Sequence, residues 1–334
     1  MRRIAIPACC ILLSACGGYF GADQEVPLPG ERISVMLIDD DISADPRIAE
    51  INVSLPAPKV NPDWPQTGGT ATHVMHHLAL PDDIELAWRI DIGEGSSGSS
   101  RLLSQPVITT DRIFTVDADG EVRAFEKTNG SPLWSFEPET MDDSDRLRGG
   151  GLAFGDGRLF STSTNGDVFG LDPDTGAEIW RQSLLAPIRG APTFINGRLL
   201  VTMADNQLVS LDGASGAVLW RHAGLFEQAA ILGGAAPASD GTIVIAPYSS
   251  GEVFALRLDS GATVWSDTVI RPRRTLAIAA ITDINGSPVI DRDRTIVAGN
   301  GGEMASLDLR RGTRVWDADI TSIETPWVAG DYVY

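Results

Sequence analysis

The stretch "GDVFGLDPDTGAEIW" at residues 166–180 is written four more times in this chain with small changes. The other copies are "GEVRAFEKTNGSPLW" (120–134), "NQLVSLDGASGAVLW" (206–220), "GEVFALRLDSGATVW" (251–265) and "GEMASLDLRRGTRVW" (302–316). They end in Trp134, Trp180, Trp220, Trp265 and Trp316, and "ELAWRI" puts Trp88 ahead of the first. From Trp88 onward the tryptophans are 46, 46, 40, 45 and 51 residues apart. A period near 45 built from short strands predicts a β-propeller, in which each period is a four-stranded blade. An α-solenoid needs helical apolar spacing within each unit, and these units alternate instead.

Each position in the unit has a physical reason. The first residue is glycine in four copies and Asn206 in the fifth, the two types that accept the left-handed backbone of a tight hairpin. Alternating apolar residues follow, as in a half-buried strand. Then comes a small residue (Ala124, Gly170, Ser210, Ala255 or Ser306), expected where neighbouring layers approach closely. Gly130, Gly176, Gly216, Gly261 and Gly312 lie four residues before the tryptophan, at a turn. The tryptophan is a flat anchor with one N–H, suited to docking a blade on its neighbour. The last residues, "ETPWVAGDYVY", match the opening strands of a sixth unit. The expected architecture is therefore all-β, with five full blades and a partial one. A ring of about eight would need further chain beyond Tyr334.

The chain opens "MRRIAIPACCILLSACGG", with Arg2 and Arg3 before an apolar run too short to span a bilayer. Leu13-Ser14-Ala15-Cys16 resembles a bacterial lipobox, which implies a signal peptide at 1–15 and lipid attachment at Cys16. Gly17 in place of aspartate implies the outer membrane, facing the periplasm. Cys9, Cys10 and Cys16 are the only cysteines, so cleavage before Cys16 leaves no internal disulfide and no thiolate site. Residues 16–63 read as a proline-rich tether, and 64–334 as the propeller domain. Asp39-Asp40-Asp41 is read as a solvated acidic turn. The formal charge of −19 argues against nucleic acid or an anionic bilayer as an electrostatic partner.

Residues 170–180 match the pattern Ala-Leu-Asp-x-x-Thr-Gly-x-x-x-Trp nearly letter for letter, with Gly170 for the alanine, and in this the chain resembles the quinoprotein-dehydrogenase propeller superfamily. Such enzymes use an aspartate base, a bound calcium ion and commonly a vicinal disulfide. The vicinal pair here, Cys9-Cys10, leaves with the signal. "DADG" (117–120) and "DING" (283–286) open like calcium loops, but their twelfth positions are Thr128 and Arg294, so both read as hairpin turns. "HVMHH" (73–77) is read as a loop before the first blade rather than a metal site, and His222 as a strand residue. No catalytic residue, cofactor or metal is expected, and the chain is not expected to be an enzyme.

A lipobox, a tether and this repeat, with "DWPQTGG" and "LAWRIDIGEGSSGSSRLLSQPV" at the entry, resemble the BamB family. These are propeller lipoproteins of the outer-membrane β-barrel assembly (BAM) complex. The resemblance implies a scaffold whose two neighbouring loops dock the periplasmic POTRA domains of BamA, with outer-membrane protein precursors as further partners. The family's Leu-x-Leu-Arg loop falls on "AAILGGAAP", placing Ala229, Ile231 and Leu232 there without the arginine; the other reading has Ile231 and Leu232 simply entering a core strand. Its Asp-x-Asp loop falls on "ITDINGSP", placing Asp283 and Asn285. "RPRR" at 271–274 is read as a solvated loop, with the docking face as the other option. The alternative function is an exported propeller binding another envelope protein or a cell-wall component.

Overall fold

The computed structural model describes residues 52–96, 104–138, 150–227, 233–269 and 283–334. The described part of the chain lies almost wholly in one compact unit, Val53–Tyr334. It is a β-propeller. Blade 1 comprises β1 (Val107–Ile108), β2 (Arg112–Val116), β3 (Val122–Glu126) and β4 (Pro132–Phe136). Blade 2 comprises β5 (Leu152–Gly155), β6 (Arg158–Thr162), β7 (Asp167–Leu171) and β8 (Glu178–Ser183). Blade 3 comprises β9 (Thr193–Ile195), β10 (Arg198–Thr202), β11 (Gln207–Asp212) and β12 (Val218–Ala223). Blade 4 comprises β13 (Ala238–Ser239), β14 (Ile243–Pro247), β15 (Glu252–Arg257) and β16 (Thr263–Thr268). Blade 5 comprises β17 (Val289–Asp291), β18 (Arg294–Ala298), β19 (Met304–Asp308) and β20 (Arg314–Ala318). A two-stranded sheet, β21 (Val328–Ala329) and β22 (Tyr332–Val333), follows.

Every blade is an antiparallel meander with its strands in chain order. Neighbouring blades meet through their first strands, which places those strands innermost, along the axis. The second and third strands carry the apolar residues between blades. Phe160 and Trp180 of blade 2 pack with Phe194, Leu199 and Leu211 of blade 3, and the same layering joins Ile245 to Ile290 and Val297. On the outer strands the period is two. Ile179 is 48% exposed beside the nearly buried Trp180.

The repeated residues occupy defined places in each blade. The opening Gly120, Gly166, Asn206, Gly251 and Gly302 all have positive φ. The small residue lies directly across from the tryptophan of its own blade: Ala124 faces Trp134, Gly170 faces Trp180, Ser210 faces Trp220, Ala255 faces Trp265 and Ser306 faces Trp316. A β-bulge follows at each. Small size is needed there because the indole lies over it; a Cβ on Gly170 would come 2.4 Å from Trp180.

The indole then reaches the next blade. Trp134 Nε1 donates to Pro173 O (3.0 Å), Trp180 to Gly213 O (3.2 Å), Trp220 to Leu258 O (2.9 Å) and Trp265 to Leu309 O (2.8 Å). Trp88 makes the same contact with Lys127 O of blade 1 at 3.2 Å. Each ring rests on the turn glycine of the blade it docks against. Gly176, at φ +74°, has no room for a side chain because Trp134 would lie 2.5 Å away. Trp316 instead lines a cavity of about 330 Å³ with Ile296, Val328 and Tyr332.

Candidate functional site

The loops that lead into the inner strands gather at one end of the axis. Three consecutive ones, entering blades 3, 4 and 5, are tied together by a single arginine. Arg189 precedes Pro192 in the first loop, and its backbone N–H donates to Thr202 O at 3.0 Å. Its stem crosses the second loop at Gly234, where a Cβ would come 2.5 Å from Arg189 Cγ. Its Nη2 ends on the third loop, donating to the Asp283 carboxylate and to Asn285 Oδ1 (3.0 Å). The Arg189 side chain is 4% exposed and that of Asp283 fully buried, while Asn285 is half-buried. Among the described residues, Nε and Nη1 of Arg189 have no hydrogen-bond acceptor. A cavity of about 90 Å³ lies beside it, walled by Gly190, Gly233 and Gly234.

The loop carrying Asp283 and Asn285 is braced on its other sides as well. Asn300 N donates to Asp283 O at 3.0 Å, Ser287 N to Thr325 Oγ1 at 3.1 Å, and Ala236 N to Ser287 Oγ at 3.0 Å. A Cβ on Gly286 would meet Glu324 O at 2.4 Å, so "DING" has its glycine for close packing. Sequence reasoning placed Asp283 and Asn285 together, and the structure has them on one loop with a shared donor. It missed Arg189, whose only sequence signal is an arginine beside a glycine before a strand-opening proline. Ala229, Ile231, Leu232 and Cys16 lie outside the described residues, as does "RPRR".

The other candidate stretches are engaged structurally. In "DADG" the buried Asp117 accepts from Asp119 N (3.0 Å) and Glu121 N (2.9 Å) with one oxygen and from Glu94 N (3.1 Å) with the other. His222 Nδ1 meets the Tyr248 hydroxyl at 2.8 Å, inside an aromatic cluster with Phe254. Burial lowers the His222 pKa and raises that of Tyr248. Among the described residues, no group of three or more His, Cys, Asp or Glu converges as a metal site would require.

The stretch "HVMHH" belongs to a second feature that sequence reasoning did not see. Residues 64–76 bond in turn to the inner strands of successive blades. His73 is buried and its Nδ1 lies 2.7 Å from Pro288 O, while His77 Nδ1 lies 2.8 Å from Pro56 O. His73 Nε2 has no partner among the described residues, and burial lowers the His73 pKa to about 4. Since Pro288 O can only accept, Nδ1 carries the proton of a neutral ring. Residues 54–63, read from sequence as the end of a tether, are mostly exposed but bond to their neighbours. Lys59 pairs with Leu78, and Lys127 Nζ donates to Pro62 O at 2.6 Å.

Comparison with known proteins gives consistent results. The sequence profile of the family described as outer membrane protein assembly factor BamB matches residues 78–148 and 118–334. The BamB of Xanthomonas campestris pv. campestris is 30% identical over 254 residues, covering 75% of this chain and 62% of the relative. That of Escherichia coli K12 is 29% identical over 252 residues, covering 74% and 64%. This chain therefore spans about three fifths of the length of such relatives. The crystal structure of BamB from Moraxella catarrhalis superposes with a TM-score of 0.60 at 22% identity, covering 67% of this chain and 66% of that one. A quinohemoprotein alcohol dehydrogenase from Comamonas testosteroni also gives 0.60, at 16% identity, covering 78% and 49%. At these identities the structural likenesses establish the propeller fold and nothing narrower.

Proposed function

The chain belongs to the BamB family of outer membrane protein assembly factors, and on that premise we propose that it is a non-enzymatic, lipid-anchored scaffold of the BAM complex. Cys16 would carry the lipid at the outer membrane, and the disc would face the periplasm. The loop cluster around Arg189, Asp283 and Asn285 would dock the POTRA domains of BamA, together with Ala229, Ile231 and Leu232. Barrel precursors would meet the complex so assembled. There is no reaction step to derive: the protein acts by holding a partner in place.

The observation that carries the docking role is the bridging of three loops by Arg189. The family resemblance puts an arginine at position 232, where this chain has leucine. Arg189, from the neighbouring loop, instead brings a guanidinium to the same Asp283 and Asn285. A planar fork held by a buried carboxylate is rigid, and rigidity in a docking loop lowers the entropy lost on binding. The half-buried Asn285 and the apolar pair Ile231 and Leu232 would then form the small patch of a docking site.

The test is co-purification of BamA from detergent-solubilised envelopes. Ile231→Glu combined with Leu232→Glu adds charge to the proposed patch and leaves Arg189 bonded to Asp283 and Asn285. We expect BamA recovery to fall about tenfold or more, the equivalent of one good interfacial contact. The thermal midpoint should not change. Undiminished recovery would exclude this face as the docking site.

A further inference from the structure

The inner strand of a propeller blade has hydrogen bonds on one edge, to the second strand, and an open edge toward the axis. Such an edge is a template for any extended chain that reaches it. Here each open edge is met once, in order around the axis, by successive residues of a single segment. Ile108 N of β1 donates to Trp64 O at 2.9 Å, and Trp64 N donates back to Ile108 O. Phe154 N of β5 donates to Pro65 O at 2.7 Å. Phe194 N of β9 donates to the side-chain Oε1 of Gln66 at 2.8 Å. Ser239 N of β13 donates to Ala71 O at 2.7 Å, and Ile290 N of β17 to Thr72 O at 2.9 Å. The circuit ends at His76, whose carbonyl accepts from Trp327 Nε1 at 2.9 Å.

The segment is closed at its own base. Lys59 N donates to His77 O at 3.0 Å and Ala79 N to Lys59 O at 2.7 Å, so residues 59–79 form a loop with a tied neck. Its tip is built to be compact. Gly68 has φ +72°, and a Cβ there would lie 2.7 Å from the His73 ring; one on Gly69 would lie 2.5 Å from Met75 Sδ. Gln66 and His73 are buried, although both are polar and lie outside the repeats.

We propose that the central channel is a binding site for an extended polypeptide, read through main-chain hydrogen bonds, and that this chain fills it in cis with residues 59–79. Recognition is of the strand-addition kind, in which backbone donors give affinity and a few side chains give register. Gln66 sets the register, because its amide stands in for a main-chain carbonyl where the segment bends past β9. His73 locks it, by donating to the carbonyl of the proline that opens β17. The seated loop occupies the open edges of β1, β5, β9, β13 and β17. It also fixes, from inside, the strand that follows the Asp283–Asn285 loop.

Amide hydrogen exchange on the full chain tests this. Gln66→Ala removes one acceptor, so the Phe194 amide is expected to exchange roughly tenfold faster or more while amides paired within blades do not change. Unchanged Phe194 exchange would overturn the assignment. Gly68→Val is expected to expel the tip, and the amides of Ile108, Phe154, Phe194, Ser239 and Ile290 should then lose protection together. A synthetic peptide of residues 59–79 should restore their protection. Failure to do so in a variant with an opened channel would overturn the claim of a peptide site. If Gly68→Val does not fold, the Gln66→Ala result alone decides.

Discussion

At the rim, Trp180 joins blade 2 to blade 3 with an indole, a turn glycine and one carbonyl, and five tryptophans in the molecule make that same contact. At the axis, residues 64–76 join the same blades with one or two hydrogen bonds each, and nothing in that stretch is repeated. The rim contact is strong but local, since each indole touches only its own blade and the next. The axial loop is weaker at any one blade but touches every blade. Duplication of a blade copies the rim contact automatically. It cannot copy a loop that must visit each blade at a different residue. The two regions should therefore fail differently.

The largest effect is expected at the rim. Trp180→Ala removes a side chain that is 9% exposed and its bond to Gly213 O, at a cost of about 4 kcal/mol for a large aromatic truncated in a core. Urea unfolding should show this as a lower midpoint. Hydrogen exchange should confine the loosening to blades 2 and 3. Loosening spread evenly over all blades would erase the distinction between local and axial contacts.

The next effect is at the axis and depends on pH. His73 is neutral and buried, with a pKa lowered by burial to about 4 against 6.5 for an exposed ring. Above about pH 6.5 the ring is neutral in both folded and unfolded chains, and no penalty arises. As pH falls from there toward 4, the unfolded chain takes up a proton that the folded one refuses. Stability declines over that window by up to about 3 kcal/mol. His222, also shifted downward by burial, adds to the slope in the same direction. His73→Leu should flatten most of the decline in midpoint between pH 7 and pH 4. An identical decline in the variant would place the acid sensitivity elsewhere. A smaller loss is expected for Gln66→Ala, about 2 kcal/mol, because the buried Phe194 amide is left without an acceptor.

The rim was legible in the sequence because it is periodic. A glycine four residues before each of the five repeat tryptophans, and a small residue in the strand before it, gave blade, turn and anchor together. Only the reason for the small residue needed the structure: it faces the indole of its own blade. The axial loop was not legible, because main-chain carbonyls leave no trace in residue identity. "HVMHH" looked like a loop ahead of the first blade, and its meaning lies in where Pro288 is in space. The local hints were two adjacent glycines, Gly68 and Gly69, and an unexplained glutamine. The candidate docking loop was half legible. Asp283 and Asn285 could be found by counting from a tryptophan, but Arg189 reaches them from two loops away, and no spacing rule connects positions 94 residues apart.

The smallest effect tests whether connecting blades, rather than forming good pairs, is what matters. Arg257 bonds Asp259 through both Nε (3.1 Å) and Nη2 (2.7 Å), and the pair holds the Asp259 pKa at about 2. By geometry this is a well-made ion pair, yet both side chains are 58% exposed and both belong to blade 4. Arg314 contrasts with it, reaching from blade 5 to Asp267 of blade 4 at 2.8 Å while also holding Glu303. Arg257→Ala should leave the urea midpoint where it is, since water and salt screen an exposed pair and ordering two side chains offsets what attraction remains. Arg314→Ala should lower it measurably, because it removes a partly buried link between blades. Equal shifts in the two variants would mean that pairs within a blade matter as much as links between blades, and the contrast between rim and axis would then rest on packing alone.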